Sequence, residues 1–304
     1  MSDVTAATYA ISLESVQQAA RRIKGFAHRT PVLTCATLDA LASDASQGSR
    51  VRLFFKVQTK YCENLQKVGA FKYRGALNAV KKYQETHAAT VGETKATFVT
   101  HSSGNHAQAV ALAARDANSK AVVVMPNNAP IVKVNAVRGY GAEVVFCEPT
   151  GEAREAAAQT CVDKFGGHFI HPSNDVDVMS GQGTAAIELL EQVEQEFGVK
   201  LDAIVVPIGG GGLCSGAVMA AKSLSKGIKV FAAEPVGAAD AHHSFQTREL
   251  SGHKVPPNTV ADGLRSTLGD LNWPVIRDHV DEIVLVSDEE IVSTMKLMWE
   301  RMKL

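Results

Sequence analysis

The 304-residue sequence lacks several things, and each absence removes a class of protein. It has no uninterrupted apolar run near the roughly 18 residues that span a bilayer, and MSDVTAATYAISLESV at its start has no basic stretch leading into an apolar core. A cytoplasmic protein with no membrane partner is expected. Lys and Arg number 31 against 32 Asp and Glu, a net charge of −1, so no basic excess is available to release counterions from a nucleic-acid polymer. Cysteine is sparse: Cys35, Cys62, Cys147, Cys161 and Cys214 are an odd set with no C-x-x-C pair. Neither a disulfide framework nor a zinc knuckle is suggested, and reduced, mostly buried thiols are expected. Internal repeats, low-complexity tracts and flexible linkers are missing as well.

What is there is ordinary globular material, 45% hydrophobic and 21% charged, long enough for about two domains. Leu13, Val16, Ala20 and Ile23 share one helical face after Ser12, a natural N-cap, and Gly25 follows as a stop. Further on, short β-branched runs alternate with longer helix-period stretches, the pattern of strands joined by crossover helices in a parallel sheet. Strands are expected at 51–57, 96–100, 121–125, 143–147, 203–208, 229–233 and 282–286. Helices are expected at 69–85, 105–116, 130–138, 151–165, 180–197, 213–225 and 288–303. The fold class is therefore α/β. Residues 94–173 read as a small domain inserted in a larger one built from 1–93 and 174–304.

Sites in open α/β sheets form at the carboxyl ends of strands, and three loops are unusual there. Gly209, Gly210, Gly211 and Gly212 separate the strand AIVVPI from a helix. Residues without Cβ let successive N–H groups converge on an anion at a helix start, so one phosphate fits, with a tight strand-to-helix turn that holds no ligand as the lesser alternative. Cys214 and Ser215 break G-x-G-x-x-G, and no Lys-Ser/Thr follows as a P-loop requires. The loop His101-Ser102-Ser103-Gly104-Asn105-His106 offers hydroxyls, an amide and free helix-start N–H groups to a carboxylate, yet Ser102, Ser103 or Asn105 would serve equally as N-caps. Lys72, flanked by Phe71 and Tyr73, would have a lowered pKa if desolvated and be ready for imine chemistry; near Lys67 and Arg74 it could instead be a solvated charge. Amine, phosphate cradle and carboxylate loop together are the parts that pyridoxal phosphate chemistry needs.

In order and spacing, ENLQKVGAFKYRGALNAV (63–80), THSSGNHAQAVALAA (100–114), GQGT (181–184), VVPIGGGGLCSG (205–216), AAEP (232–235) and TVADGL (259–264) match one family. From about Ile11 onward the chain resembles fold-type II pyridoxal-phosphate enzymes, most closely the serine racemases and the related serine/threonine dehydratases. The resemblance implies two open, mostly parallel twisted sheets with helices on both faces. It implies that Lys72 holds the cofactor aldehyde as an imine, that Phe71 packs beside the ring, that Asn105 bonds the ring hydroxyl, and that the glycines at 209–212 hold the phosphate. Ser102, Ser103, Asn105 and His106 would line the substrate carboxylate site. Ser103 would be the second acid/base of a racemase, where threonine dehydratases commonly have alanine.

The implied activity is interconversion of L- and D-serine, with elimination of serine to pyruvate and ammonia. An L-threonine/L-serine or 3-hydroxyaspartate ammonia-lyase is the alternative, and a catalytically inactive binding or dimerisation protein a second. Glu234, the carbonyl of Ala238 and Asp240 would bind Mg²⁺ or Ca²⁺, hard cations that take oxygen ligands. A homodimer is implied, while the contacts of a nucleotide effector are fixed by no motif. Two departures from the family stand out. Ser173 takes the place of a frequent asparagine, with Asn174 next. The family also carries a strand and helix past the position of Leu304, with a serine or threonine for the pyridine nitrogen, and the large domain is expected without them.

Overall fold

The computed structural model describes residues 9–43, 48–56, 65–87 and 95–303. Helix α1 (Leu13–Ile23) starts where Ser12 caps it, through a reciprocal bond with Ser15, and Val16, Ala19 and Ile23 are its buried face. The buried stripe runs through Ala19 rather than Ala20, one residue from expectation. Helix α2 (Ala36–Ala42) follows. The run at 51–57 is not a strand over its described part: Phe55 makes one antiparallel bridge with Leu33, and residue 57 lies outside the described residues. The backbone N–H groups of Val51 and Leu53 bond to Ser43 Oγ and Asp39 Oδ1 rather than to a neighbouring strand, and the buried Lys56 amine reaches the Thr30 carbonyl, Glu188 and Gln192.

Helix α3 (Lys72–Thr86) leads to the first sheet. Its strands are β1 (Thr97–His101), β2 (Lys120–Pro126), β3 (Glu143–Cys147) and β4 (His168–Phe169), in the order β3-β2-β1-β4 and all parallel. The crossovers are α4 (Asn105–Asp116), α5 (Ile131–Gly139) and α6 (Gly151–Phe165). Buried β-branched residues, Val99 on β1 and Val122 and Val124 on β2, pack against Ala158 and Cys161 of α6, while Phe98, Val123 and Met125 face α4. A sheet covered on both faces reads as a continuous apolar run, as ATFVT and AVVVM do.

The long helix α7 (Val176–Phe197) then joins a second parallel sheet, β5 (Ala203–Pro207), β6 (Lys229–Pro235) and β7 (Glu282–Val286), in the order β5-β6-β7. Between and after its strands lie α8 (Gly212–Leu224), α9 (Asp240–Thr247), α10 (Trp273–His279) and α11 (Asp288–Met302). No helix of the described residues is long and apolar enough to cross a membrane. Cys161 and Cys214 are buried free thiols and Cys35 and Cys147 half-buried ones, while Cys62 lies outside the described residues.

Helix α7 runs between α3 and α8, and glycine brings the three axes close. A Cβ on Gly75 of α3 would lie 2.7 Å from the Val178 carbonyl oxygen, and one on Gly216 of α8 would lie 2.4 Å from that of Met179. Below this stack, the fully buried Arg74 binds both oxygens of Glu188 at 2.7 and 2.9 Å, and Lys56 joins the same carboxylate at 2.8 Å. Removing one partner from such a network would strand a buried charge, so it ties α3 to α7 firmly. The start of α3 and the start of α8 are thereby fixed relative to each other. Gly216→Ala is expected to lower stability by about 1–3 kcal/mol through backbone overlap, seen as a lower urea midpoint with an unchanged slope.

Candidate active site

Lys72 is the first residue of α3, entered through a tight turn at Lys67–Gly69 in which Val68 takes a left-handed φ of 59°. The Gln66 side chain accepts from the Lys67 N–H and ties the turn to the backbone of His28. Two lysines of this segment then meet different fates. Lys67 pairs with Asp116 at 3.1 Å. The Lys72 amine has no ion pair among the described residues; it donates to the Pro172 carbonyl at 2.7 Å and lies 5.2 Å from the Phe71 ring centre. Burial lowers its pKa to about 8, since nothing charged offsets the desolvation of the ammonium.

The glycine run lies against the neighbour of Pro172. A Cβ on Gly210 would come within 2.3 Å of Ser173 Oγ, and one on Gly212 within 2.7 Å of the Ser173 carbonyl oxygen. Gly211 is the N-cap of α8 with φ of 92°, and a Cβ there would meet Asn272 and Leu268, both at 2.7 Å. No other residue satisfies both the handedness and the contacts. No side chain caps α8, so its first N–H groups are free to face an anion. Cys214, in that first turn, is pushed up to about 12 by burial and stays a neutral thiol.

The loop after β1 is the third part. Strands β1 and β4 are parallel with Val99 opposite Phe169, so their following loops leave the sheet side by side. The rings of His101 and His171, two residues further along each, are 5.5 Å apart. Ser102 Oγ accepts from the Gly104 N–H at 3.2 Å, while the N-cap of α4 is Gly104, with no side-chain cap. The capping reading of Ser102, Ser103 and Asn105 is therefore corrected: none of them closes this helix. Ser103 is half-buried and Asn105 exposed. His106 is buried, with Nε2 3.3 Å from the Ile170 carbonyl oxygen and Nδ1 unpartnered. Desolvation first, and then the charge of Lys72, hold His106 well below the usual histidine range, so it is neutral.

Two braces were not anticipated. Asn272, fully buried, donates from Nδ2 to the Ser173 carbonyl at 3.1 Å. Asn174 donates to Asp270 at 2.7 Å and accepts from the Leu271 N–H at 3.0 Å, so it anchors the loop before α10. No sequence signal separated these amides from ordinary loop residues.

The proposed metal ligands sit apart, at the end of β6. Glu234 accepts from the N–H groups of Ala241 and His242 at 2.9 and 2.7 Å, and burial raises it to about 7. Asp240 accepts from the Leu268 N–H at 2.8 Å, and burial raises it too. Its Oδ1 is buried without a hydrogen bond, 3.3 Å from His253 Nε2. Among the described residues no three His, Cys, Asp or Glu side chains gather as a ligand set. Two desolvated carboxylates, one with an oxygen that no hydrogen bond satisfies, beside the buried Ala238, nevertheless fit a hard cation completed by waters.

A half-buried amine with lowered pKa at the start of α3, together with a single-phosphate cradle and an uncapped helix start at strand carboxyl ends, defines an enzyme site for an aldehyde-bearing phosphorylated cofactor. The residues fit pyridoxal phosphate. Comparison with known proteins agrees: residues 23–304 match the family described as pyridoxal-phosphate dependent enzyme, and the chain belongs to it. It is 45% identical to the serine racemase of Dictyostelium discoideum over 97% of this chain and 84% of that one. The solved maize serine racemase is similar with a TM-score of 0.86 at 41% identity, covering 97% of this chain and 83% of that chain. A solved threonine deaminase from T.th. gives 0.83 at 40%, covering 96% and 87%. Gly211→Ala is expected to weaken pyridoxal phosphate binding about tenfold or more, since a left-handed residue with a Cβ costs about 1–2 kcal/mol before any contact is counted. A fluorescence titration of the apoprotein measures it.

Proposed function

We propose that this chain is a serine racemase that also eliminates water from serine to release pyruvate and ammonia. The observation that carries the reading is the sharing of residues 172 and 173 by two parts of the site: Lys72 bonds to Pro172, and the glycine run packs on Ser173. One ligand can thus meet the amine and the cradle together. The similarity to serine racemases supports the substrate. In this reading residues 94–173 are the small domain, and 1–93 with 174–304 the large one.

Pyridoxal phosphate, when bound, makes the α-proton of an amino acid removable by withdrawing electrons from the α-carbon. The chain supplies the rest. Gly209, Gly210, Gly211 and Gly212 hold the phosphate with free N–H groups, Phe71 packs beside the ring and Asn105 bonds its hydroxyl. Ser102, Ser103, Asn105 and His106 line the substrate carboxylate site. Neutral His106 turns its one N–H, at Nε2, to the Ile170 carbonyl and keeps an Nδ1 that can only accept, so it lines this site without donating to the carboxylate. Lys72, with its pKa of about 8, is partly neutral under mildly basic conditions and can take a proton at Nζ and return it.

Inversion requires a proton taken on one face and delivered on the other, so a second group is needed, and we assign it to the Ser103 hydroxyl. Elimination needs Lys72 alone: the β-hydroxyl departs as water with the proton that Lys72 has taken, and a second water hydrolyses the dehydrated product to pyruvate and ammonia. The similarity to a threonine deaminase favours an ammonia-lyase as the second reading. Glu234, Asp240 and the carbonyl of Ala238 would hold Mg²⁺ or Ca²⁺ as a structural ion, relieving the two buried carboxylates.

Purified protein given L-serine is expected to form both D-serine and pyruvate, whereas pyruvate alone would favour the ammonia-lyase. Ser103→Ala is expected to lower racemisation by about 10²- to 10⁴-fold while elimination falls less than about tenfold. Equal losses, measured by chiral chromatography and a coupled pyruvate assay, would remove Ser103 from its role.

A further inference from the structure

Among the described residues, no backbone–backbone hydrogen bond closes the turn at 171–174 that carries Pro172. The His171 side chain does so instead. Its Nδ1 accepts from the backbone N–H of Ser173 at 3.2 Å and from that of Asn174 at 2.8 Å. An imidazole nitrogen that accepts two N–H donors carries no proton, so the ring is the neutral Nε2–H tautomer. Its surroundings favour that state: burial, then the charges of His101 and Lys72, bring its pKa down to about 4, against a smaller opposing effect of Asp270. The ring is itself fixed, set nearly perpendicular to His101 at 5.5 Å and steeply tilted to Phe169 at 6.2 Å.

The geometry points to His171 as a positioning residue for Lys72: its Nδ1, by accepting both N–H groups, bends residues 171–174 so that the Pro172 carbonyl meets the Lys72 amine. This rests on the reading of Lys72 as the cofactor lysine. A histidine that merely filled space would leave both nitrogens indifferent to the turn. Here the far side of the turn is clamped by Asn272 on the Ser173 carbonyl and by Asp270 on Asn174. The side toward His171 is held by its imidazole. Without that acceptor two N–H groups lose their partner, the Pro172 carbonyl is free to turn, and the amine loses its only hydrogen bond among the described residues. The loop at 102–106, assigned to the substrate carboxylate, is not part of this turn.

The test compares holoenzyme variants His171→Phe, which keeps a ring of similar size without the acceptor, and His171→Asn, whose Oδ1 can accept in the place of Nδ1. The Phe variant is expected to lose about 10- to 100-fold in kcat on L-serine with KM within about threefold, as misplacement of a reacting group does. Its lysine-bound cofactor band should also titrate at a different pH from wild type, and the Asn variant should recover most of both properties. A Phe variant with wild-type kcat and titration, or Asn and Phe variants equally impaired at wild-type circular dichroism, would overturn the inference. His171→Gln, which places its acceptor one bond further out, provides a comparison that does not depend on the Phe variant folding: wild-type kcat in Gln would also overturn it. Borohydride reduction and peptide mapping of the wild type separates the two claims. Label away from Lys72 overturns the site reading and this inference together; label on Lys72 with unaltered variants overturns this inference alone.

Discussion

The bond from the Lys72 amine to the Pro172 carbonyl is the interaction on which the site depends. A half-buried ammonium with one carbonyl acceptor and, among the described residues, no carboxylate is an unfavourable arrangement, and the lowered pKa expresses it. The arrangement persists because the structure around it is over-determined. Glycine contacts draw α3, α7 and α8 together, and the Arg74–Glu188–Lys56 network locks α3 to α7. The cost at one amine is set against packing distributed over three helices.

The helix starts differ in how they are closed. Helices α4 and α8 both begin without a side-chain cap, although serine, threonine, aspartate or asparagine at that position would stabilise each by about 1 kcal/mol. Helices α1 and α11, by contrast, carry full capping boxes with Ser12 and Ser287. Helices α2, α3, α5, α9 and α10 also begin without a side-chain cap, so an uncapped start does not by itself mark a ligand site. At α4 and α8 the free N–H groups lie beside the serine loop and the glycine run, where an anion can meet them.

Much of the fold was legible because buried parallel strands and their crossover helices impose distinct periods on the chain. The bounds at 105–116, 143–147, 151–165 and 282–286 agree with the structure. Strand β4 was invisible, since two residues between Gly167 and Ile170 show no alternation. The short α2, α9 and α10 span too few turns to establish a helical period. The run at 51–57 has the right composition for a strand, but strand formation needs a partner ladder, and beyond the one bridge at Phe55 the N–H groups of Val51 and Leu53 go to the side chains of Ser43 and Asp39.

Lys72 and the four glycines stood out because lysine between aromatics and consecutive glycine are rare choices with few physical uses. The Pro172 carbonyl, the His171 acceptor and the Asn272 brace did not. Backbone carbonyls carry no residue signature, and a histidine or asparagine in a loop reads the same whether it shapes a turn or faces water. Lys72 and the glycine run are proposed to hold one cofactor molecule between them. A crystal structure grown with pyridoxal phosphate tests it directly. Continuous density is expected from Lys72 Nζ to a ring whose phosphate accepts from the N–H groups at 209–212. A cofactor linked to another lysine, or a phosphate seated away from those glycines, would contradict it.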